Sequence, residues 1–139
     1  MNEIRVVIDT NVAVSGLLFG GLPAKVINLA FEQKIIWCSS PILKEEMDRV
    51  LMKKKFGLTE AEYLFLTTPV YETIEWFNPS IVIDLISRCP ADNRVLECAV
   101  ESESQFIVTG DRRDLVSLGI FEGIKIVQPR EFLTIFSPI

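Results

Sequence analysis

Two aspartates in this 139-residue chain each come soon after a short apolar run. Asp9 follows the run V-V-I, and Asp111 closes the sequence F-I-V-T-G-D. Runs of this kind predict strands that are buried on both faces, as in a parallel sheet covered by helices. The carboxyl ends of parallel strands share one edge of the sheet, where α/β proteins open their ligand crevice. If the two strands are neighbours, the two carboxylates meet there; otherwise each aspartate only caps the helix that follows it.

Two further acids lie on helix faces that are otherwise apolar. On a helix predicted to begin at Pro41, Glu46 falls within the apolar stripe, whereas Glu45 lies on the polar face. Asp92 begins a second amphipathic helix and shares the face of its apolar residues. Glu46 at the margin of the stripe, with its carboxylate in solvent, is an open alternative. Capping of the second helix by Asp92 or by Asn93 is another.

If these acids converge, the cluster has to hold protons or cations. Each pair of carboxylates about 4 Å apart repels by about 4 kcal/mol at an effective dielectric constant of 20. The chain has no histidine, which excludes a Ser-His-Asp triad, a Cys-His dyad and an HExxH zinc site. All-oxygen ligands favour Mg²⁺ or Mn²⁺. Such ions activate water and neutralise charge at a scissile phosphate, so the first hypothesis is a nuclease. Asp114, one helical turn after Asp111, either joins this cluster or is exposed.

The net charge of −5 gives no overall basic field that would attract nucleic acid. RNA would therefore need a local patch or bound metal ions. Arg112 and Arg113 are candidates as phosphate clamps or as partners of the acidic cluster. Lys53 and Lys54 could contact phosphates, or they could form a solvated helix end that favours cations.

Length and composition predict one α/β domain over residues 1–139. A hydrophobic content of 49% and a charged content of 24% are typical of a globular chain. The three cysteines are isolated, as expected for reduced thiols of a cytosolic protein. The charge-free run 10–24 is too short to span a bilayer, and the N-terminus has no signal-peptide pattern. We expect a soluble, cytoplasmic protein that does not associate with a membrane.

Strands and helices alternate along the chain, which predicts a mainly parallel sheet. The first strand ends at Asp9, and Trp37 and Trp76 are predicted to be core residues. A capping box at Thr59 and Glu62 opens a helix that Pro69 is expected to end. The remaining strands are predicted over residues 35–38, 70–76, 105–109 and, at an edge, 124–127. The remaining helices are predicted over residues 12–19, 24–33, 41–53, 92–102, 112–118 and 129–136, and 80–87 is ambiguous.

The acids, in this order, resemble the PIN-domain family of metal-dependent ribonucleases. The matching sequences are V-V-I-D-T-N-V (6–12), S-S-P-I-L-K-E-E-M-D-R-V-L (39–51), P-A-D-N-R-V-L-E-C-A (90–99), I-V-T-G-D-R-R-D-L (107–115) and G-I-K-I-V-Q-P-R-E-F-L (123–133). The resemblance implies a three-layer α/β/α sandwich with about five mainly parallel strands. It also implies that Asp9, Glu46, Asp92 and Asp111 form an acidic site for Mg²⁺ or Mn²⁺.

The same resemblance extends to supporting residues and to partners. Asn11 and Thr109 match polar positions whose side chains orient a ligand carboxylate. Asp114 stands where the family often carries a further acid. Many small members are VapC-like toxins of type II toxin–antitoxin pairs, which cut RNA as homodimers and are inhibited by a separately encoded antitoxin. The resemblance thus implies an RNA substrate, a homodimer and a cognate antitoxin protein.

Two other functions compete with the ribonuclease. A phosphatase of the haloacid-dehalogenase type also begins with a strand and an aspartate, but it needs a second acid two residues later, where this chain has Asn11. A PIN-like module that binds RNA or protein without cutting is the remaining alternative. Four acids at the expected positions disfavour this module, because their mutual repulsion serves no purpose without metal.

Overall fold

The computed structural model describes residues 3–86, 89–110 and 113–136. Within them, six strands form one sheet in the order β3-β2-β1-β4-β6-β5. All neighbouring strands are parallel except the β5–β6 hairpin, so the predicted mainly parallel sheet is confirmed, with six strands rather than about five. The strands are β1 (Arg5–Ile8), β2 (Ile36–Ser39), β3 (Glu75–Trp76), β4 (Phe106–Val108), β5 (Ile120–Phe121) and β6 (Ile124–Val127).

Helices cover both faces of the sheet and complete the three-layer sandwich. Alternate residues of β1 enter two separate cores, because Val6 and Ile8 face one side and Val7 the other. The helices are α1 (Thr10–Phe19), α2 (Gly21–Phe31), α3 (Pro41–Leu51), α4 (Glu60–Thr73), α5 (Pro90–Glu101), α6 (Arg113–Leu118) and α7 (Pro129–Phe136). Side chains of α1, α2 and α7 pack in the first core, and those of α5 and α6 pack in the second.

The prediction that Pro69 ends a helix is wrong. The capping box of Thr59 and Glu62 is present, but α4 continues through Pro69 to Thr73. A proline inside a helix costs about 3 kcal/mol, because it removes a hydrogen bond and crowds the preceding turn. Val70, which is fully buried in the first core, helps to offset that cost. Of the strand predicted over residues 70–76, only Glu75–Trp76 forms.

Two expectations about the sheet edges also need correction. The strand 124–127 is not an edge strand, since β5 pairs with it on its outer side. Strand β5 is an addition to the predicted strands. It is joined to β6 by a two-residue turn at Glu122 and Gly123, and both residues have the positive φ angles of a tight hairpin. At the opposite edge, Trp76 lies on β3 and is 37% exposed, whereas Trp37 is a core residue as predicted.

Within the described residues, no single helix is both long and apolar enough to cross a membrane. Helices α1 and α2 reach the required length and hydropathy only as a pair, and the chain bends by 98° between them.

Candidate functional site

The sheet changes direction between β1 and β4. From β1 the chain adds β2 and β3 on one side, whereas β4 and the later strands lie on the other side. In an open parallel sheet such a switch point leaves a crevice at the carboxyl ends of the two strands. Asp9 directly follows β1, and Thr109 directly follows β4. Asp111, Arg112 and the side chain of Arg113 lie outside the described part of the chain.

Asp9 is the central acid at this carboxyl edge of the sheet. It is 1% exposed, and two contacts fix its carboxylate. The hydroxyl of Thr109 donates a hydrogen bond of 2.7 Å to Oδ2, and the backbone N–H of Thr10 donates one of 2.8 Å to Oδ1. Asp9 is the N-cap of α1, so the capping interpretation and the site interpretation both apply to it.

Asp92 reaches the same edge from α5. This helix precedes β4 and packs against β1, β2 and β4, so its first turn lies at the carboxyl end of the sheet. Asp92 is in that first turn and is 2% exposed. A carboxylate this deeply buried needs compensating partners. Asp92 is thus a second buried acid at the edge of the sheet where Asp9 lies.

Asn93 does not cap α5, which corrects one of the alternatives for this helix. Its Oδ1 accepts hydrogen bonds from the backbone N–H groups of Leu85 (3.1 Å) and Ile86 (2.8 Å). Its Nδ2 donates to the carbonyl oxygen of Ile86 at 2.8 Å. Asn93 thus anchors the segment 80–86, which has no regular secondary structure, along α5.

Glu46 approaches the site from α3. Helix α3 begins just after β2 at the same edge of the sheet and contacts both α1 and α5. Glu46 is half-buried and lines a depression of about 260 Å³ between α3 and α5. Pro90 and Ala91, next to Asp92, line the opposite side. The structure therefore brings Glu46 beside the first turn of α5. Glu45 is exposed, as predicted, although it too borders the depression.

The remaining predicted site residues do not all lie close to Asp9. Thr109 contacts the Asp9 carboxylate, whereas Asn11 is exposed on the first turn of α1. Asp114 is half-buried in the first turn of α6, a helix that begins at Arg113. Two lysines lie away from this edge: Lys53 and Lys54 are exposed and follow the C-terminus of α3. The 11 residues of α3 span about 16 Å, so the helix holds both lysines away from its first turn.

One basic residue was not singled out from the sequence. Arg94 lines the α3–α5 depression together with Arg49, and its Nη2 is 2.8 Å from Oε2 of Glu97. The i, i+3 spacing of Arg94 and Glu97 is visible in the sequence and predicts such a pair. It does not indicate that the pair would lie beside Glu46, because that proximity depends on how α3 and α5 pack.

A hydrogen-bond network on another face of α3 holds this helix against α4. Oδ1 of Asp48 accepts hydrogen bonds of 2.6 Å from the hydroxyls of both Tyr63 and Tyr71, and Lys44 donates one of 2.9 Å to Oδ2. Burial by itself would raise the pKa of Asp48, but the three donors together lower it below its ordinary value. Burial and the bond to Asp48 raise the pKa of Tyr71. The ionised Asp48 thus fixes the helix that carries Glu46.

The oxygen donors at the switch point fit a hard divalent cation. Asp9 and Asp92 are buried carboxylates at one edge of the sheet, and carboxylate oxygens are the ligands that Mg²⁺ and Mn²⁺ prefer. Across residues 3–86, 89–110 and 113–136, no three acidic or cysteine side chains group closely enough to form a complete ligand set.

Comparison with known proteins agrees with this architecture. The family model described as PIN domain matches residues 5–113. The uncharacterized protein MJ1680 of Methanocaldococcus jannaschii is 38% identical over 120 residues, which cover 84% of this chain and 76% of that protein. The crystal structure of PAE2754 from Pyrobaculum aerophilum superposes with a TM-score of 0.66 at 14% identity, over 98% of this chain and 91% of the other. This last similarity concerns the fold alone.

The chain therefore belongs to the PIN-domain family, whose members are generally nucleases.

Proposed function

We propose that this protein is a metal-dependent endoribonuclease that hydrolyses RNA phosphodiester bonds. The observation that carries the proposal is the Asp9 carboxylate, which is buried at the switch point and oriented from the neighbouring strand by Thr109. Helix capping alone does not require a buried carboxylate at a ligand crevice, whereas nuclease chemistry uses one.

Asp9, Asp92, Glu46 and Asp111 are the residues that would hold Mg²⁺ or Mn²⁺. When bound, such an ion activates water and neutralises the charge that develops at the scissile phosphate. The task of the protein is to keep the ligands in place. Thr109 and the N–H of Thr10 orient Asp9, while the packing of α5 on the sheet positions Asp92.

The direct test is cleavage of a mixed pool of structured and single-stranded RNAs by the purified protein. The reactions contain Mg²⁺, Mn²⁺ or EDTA, and the Asp9→Asn variant controls for contaminating nucleases. We expect cleavage that requires metal and that the variant lacks. Cleavage that persists in EDTA, or that the variant retains, would contradict the proposal.

A non-catalytic PIN-like module is the second candidate. The observation in its favour is that the Asp9 carboxylate caps α1 and accepts hydrogen bonds from Thr109 and from the N–H of Thr10, roles that need no metal. Calorimetric titration with Mn²⁺ separates the two functions. Heat of binding that disappears in Asp9→Asn supports the nuclease, whereas RNA binding without any metal binding supports the module.

The resemblance to VapC-like proteins extends the proposal to a cellular role. We propose a cytoplasmic toxin that acts as a homodimer and is neutralised by a cognate antitoxin. Induced expression of the wild-type protein is then expected to arrest growth, and expression of Asp9→Asn is not. Light scattering of the purified protein measures the oligomer, and a monomeric mass would contradict the homodimer.

A further inference from the structure

The α3–α5 depression carries two cations beside its acids. Arg49 lies on α3 one helical turn beyond Glu46, and Arg94 lies on α5 two residues after Asp92. Ile42 and Ala91 contribute apolar walls. The depression is therefore lined by both acidic and basic side chains, next to the first turn of α5.

Arg94 is held in this position by the protein. Its Nη2 donates to Oε2 of Glu97 at 2.8 Å and to the carbonyl oxygen of Ile83 at 3.0 Å. The side chain of Glu97 is 9% exposed and also accepts the backbone N–H of Ile83. The side chain of Arg94 remains 30% exposed, and its buried Nε has no hydrogen-bond partner among the described residues. The protein thus orients the guanidinium of Arg94, but the hydrogen bonds among the described residues do not use all of its N–H groups.

Arg49, unlike Arg94, is exposed. Within the described residues it forms no ion pair, and it faces the depression from the opposite helix. The two arginines therefore stand on the two walls of one depression. Guanidinium groups are well suited to phosphate because they donate several hydrogen bonds in a planar arrangement.

We propose that Arg49 and Arg94 bind phosphates of the RNA strand that flank the scissile bond. The inference rests on the proposed ribonuclease function and names how its substrate is held. The protein carries a net charge of −5 and repels a polyanion at long range, so local cations beside the acidic site must retain the strand. Lys53 and Lys54 do not serve this purpose, because they lie beyond the far end of α3.

The test measures binding of a fluorescently labelled single-stranded RNA by fluorescence anisotropy over a range of salt concentrations. All proteins carry Asp9→Asn, so that the RNA stays intact. Each phosphate contact with a single strand contributes about 0.7 to the slope of log K against log salt concentration. We expect Arg49→Gln and Arg94→Gln each to reduce the slope by about 0.7 and to weaken binding for all sequences alike.

Control variants and a folding assay distinguish the loss of a phosphate contact from a loss of folding. Lys34→Gln removes an exposed cation just before β2, at the amino edge of the sheet, and is expected to leave the slope unchanged. Arg94→Gln leaves the buried Glu97 without its partner, so the double variant Arg94→Gln/Glu97→Gln is measured beside it. Arg94→Lys keeps the charge and is expected to restore most of the slope. Thermal melting monitored by circular dichroism checks that each variant is folded.

The inference is overturned if folded Arg49→Gln and the folded double variant bind with the slope of the Asp9→Asn parent, or if Lys34→Gln lowers the slope as much as they do. Cleavage by the wild-type protein is assayed separately. If cleavage occurs but the slopes are unchanged, the nuclease stands and the arginine site fails. If the slopes fall as expected but no RNA is cut, the phosphate site stands and the catalytic proposal fails.

Discussion

The hydroxyl of Thr109 donates a 2.7 Å hydrogen bond to Oδ2 of Asp9, joining two residues that are 100 positions apart in the chain. Parallel pairing of Ile8 with Val108 brings them together, because each stands one residue beyond its strand. Both side chains are buried. The central acid is therefore oriented by the sheet itself and not by a flexible loop.

Replacing Thr109 by valine is expected to lower RNA cleavage while preserving the fold. Valine keeps the shape of threonine but cannot donate the hydrogen bond that orients Asp9. Loss of a residue that orients a metal ligand typically reduces metal affinity or activity by about 10- to 100-fold. Initial cleavage rates over a range of Mn²⁺ concentrations measure the effect. Thr109→Ser retains the hydroxyl and should stay close to wild type; equal losses in both variants would contradict this role.

Adjacent glutamates on α3 provide a matched pair for the third acid. Glu46 is half-buried beside the first turn of α5, whereas Glu45 is exposed. We expect Glu46→Gln to lower the cleavage rate by about 10-fold or more, because it weakens a metal ligand or the group that orients one. Glu45→Gln changes the net charge equally but removes an exposed carboxylate at the rim of the depression, so it is not expected to lower the cleavage rate. The assignment of Glu46 would be wrong if the two variants cut RNA at the same rate.

The Asp48 network predicts a dependence of stability on pH. The hydrogen bonds from Tyr63, Tyr71 and Lys44 keep the pKa of Asp48 below its ordinary value of 3.8. A lowered pKa in the folded state stabilises the protein above pH 3.8, and this stabilisation is lost as the pH falls through the folded-state pKa. Asp48→Asn is expected to lower the free energy of unfolding at neutral pH by about 2 kcal/mol, the typical value for hydrogen bonds to a charged group.

Urea denaturation of wild type and Asp48→Asn at neutral pH and below pH 3 measures this difference. The two proteins should become more similar in stability at the lower pH, because protonated Asp48 no longer carries the charge. A difference that is the same at both pH values would show that Asp48 stabilises the fold by contacts that do not depend on its charge.

Asn93 is expected to control the local stability of the segment 80–86. Asn93→Ala removes three hydrogen bonds to the backbone of Leu85 and Ile86. Loss of such buried partners costs about 1–3 kcal/mol, which corresponds to amide exchange that is about 10- to 100-fold faster at both residues. Hydrogen exchange measures the rates, and Asn78→Ala, at an exposed position, serves as the control. Unchanged exchange at Leu85 and Ile86 would contradict the anchoring role.

Much of the fold could be predicted from the sequence because its signals are local. The apolar run before Asp9 is too short for a helix, and the capping box at Thr59 fixes the start of α4. The extension of α4 past Pro69 could not be predicted in this way. It is consistent with burial of Val70 in the core, which only the folded chain provides.

The residue types of the site could be predicted from the sequence, but the contacts that these residues make could not. Asp9 and Asp92 stand out as acids that interrupt apolar patterns, and both are buried at the predicted edge. Asn93 looked like a possible cap, because its sequence position does not reveal that residues 85 and 86 lie beside it. Arg94 was missed for a similar reason: its place opposite Arg49 depends on the packing of α3 against α5.

The most direct test of the central claim is the rate of RNA cleavage in Mn²⁺ by wild type, Asp9→Asn, Asp92→Asn and Asp84→Asn, purified identically. Asp84 is an exposed acid in the segment 80–86, and its variant controls for the loss of one negative charge. We expect Asp9→Asn and Asp92→Asn to be folded and inactive, and Asp84→Asn to cut RNA at the wild-type rate. RNA cleavage at the wild-type rate by the folded Asp9→Asn variant would contradict the assignment of this carboxylate as the centre of the site.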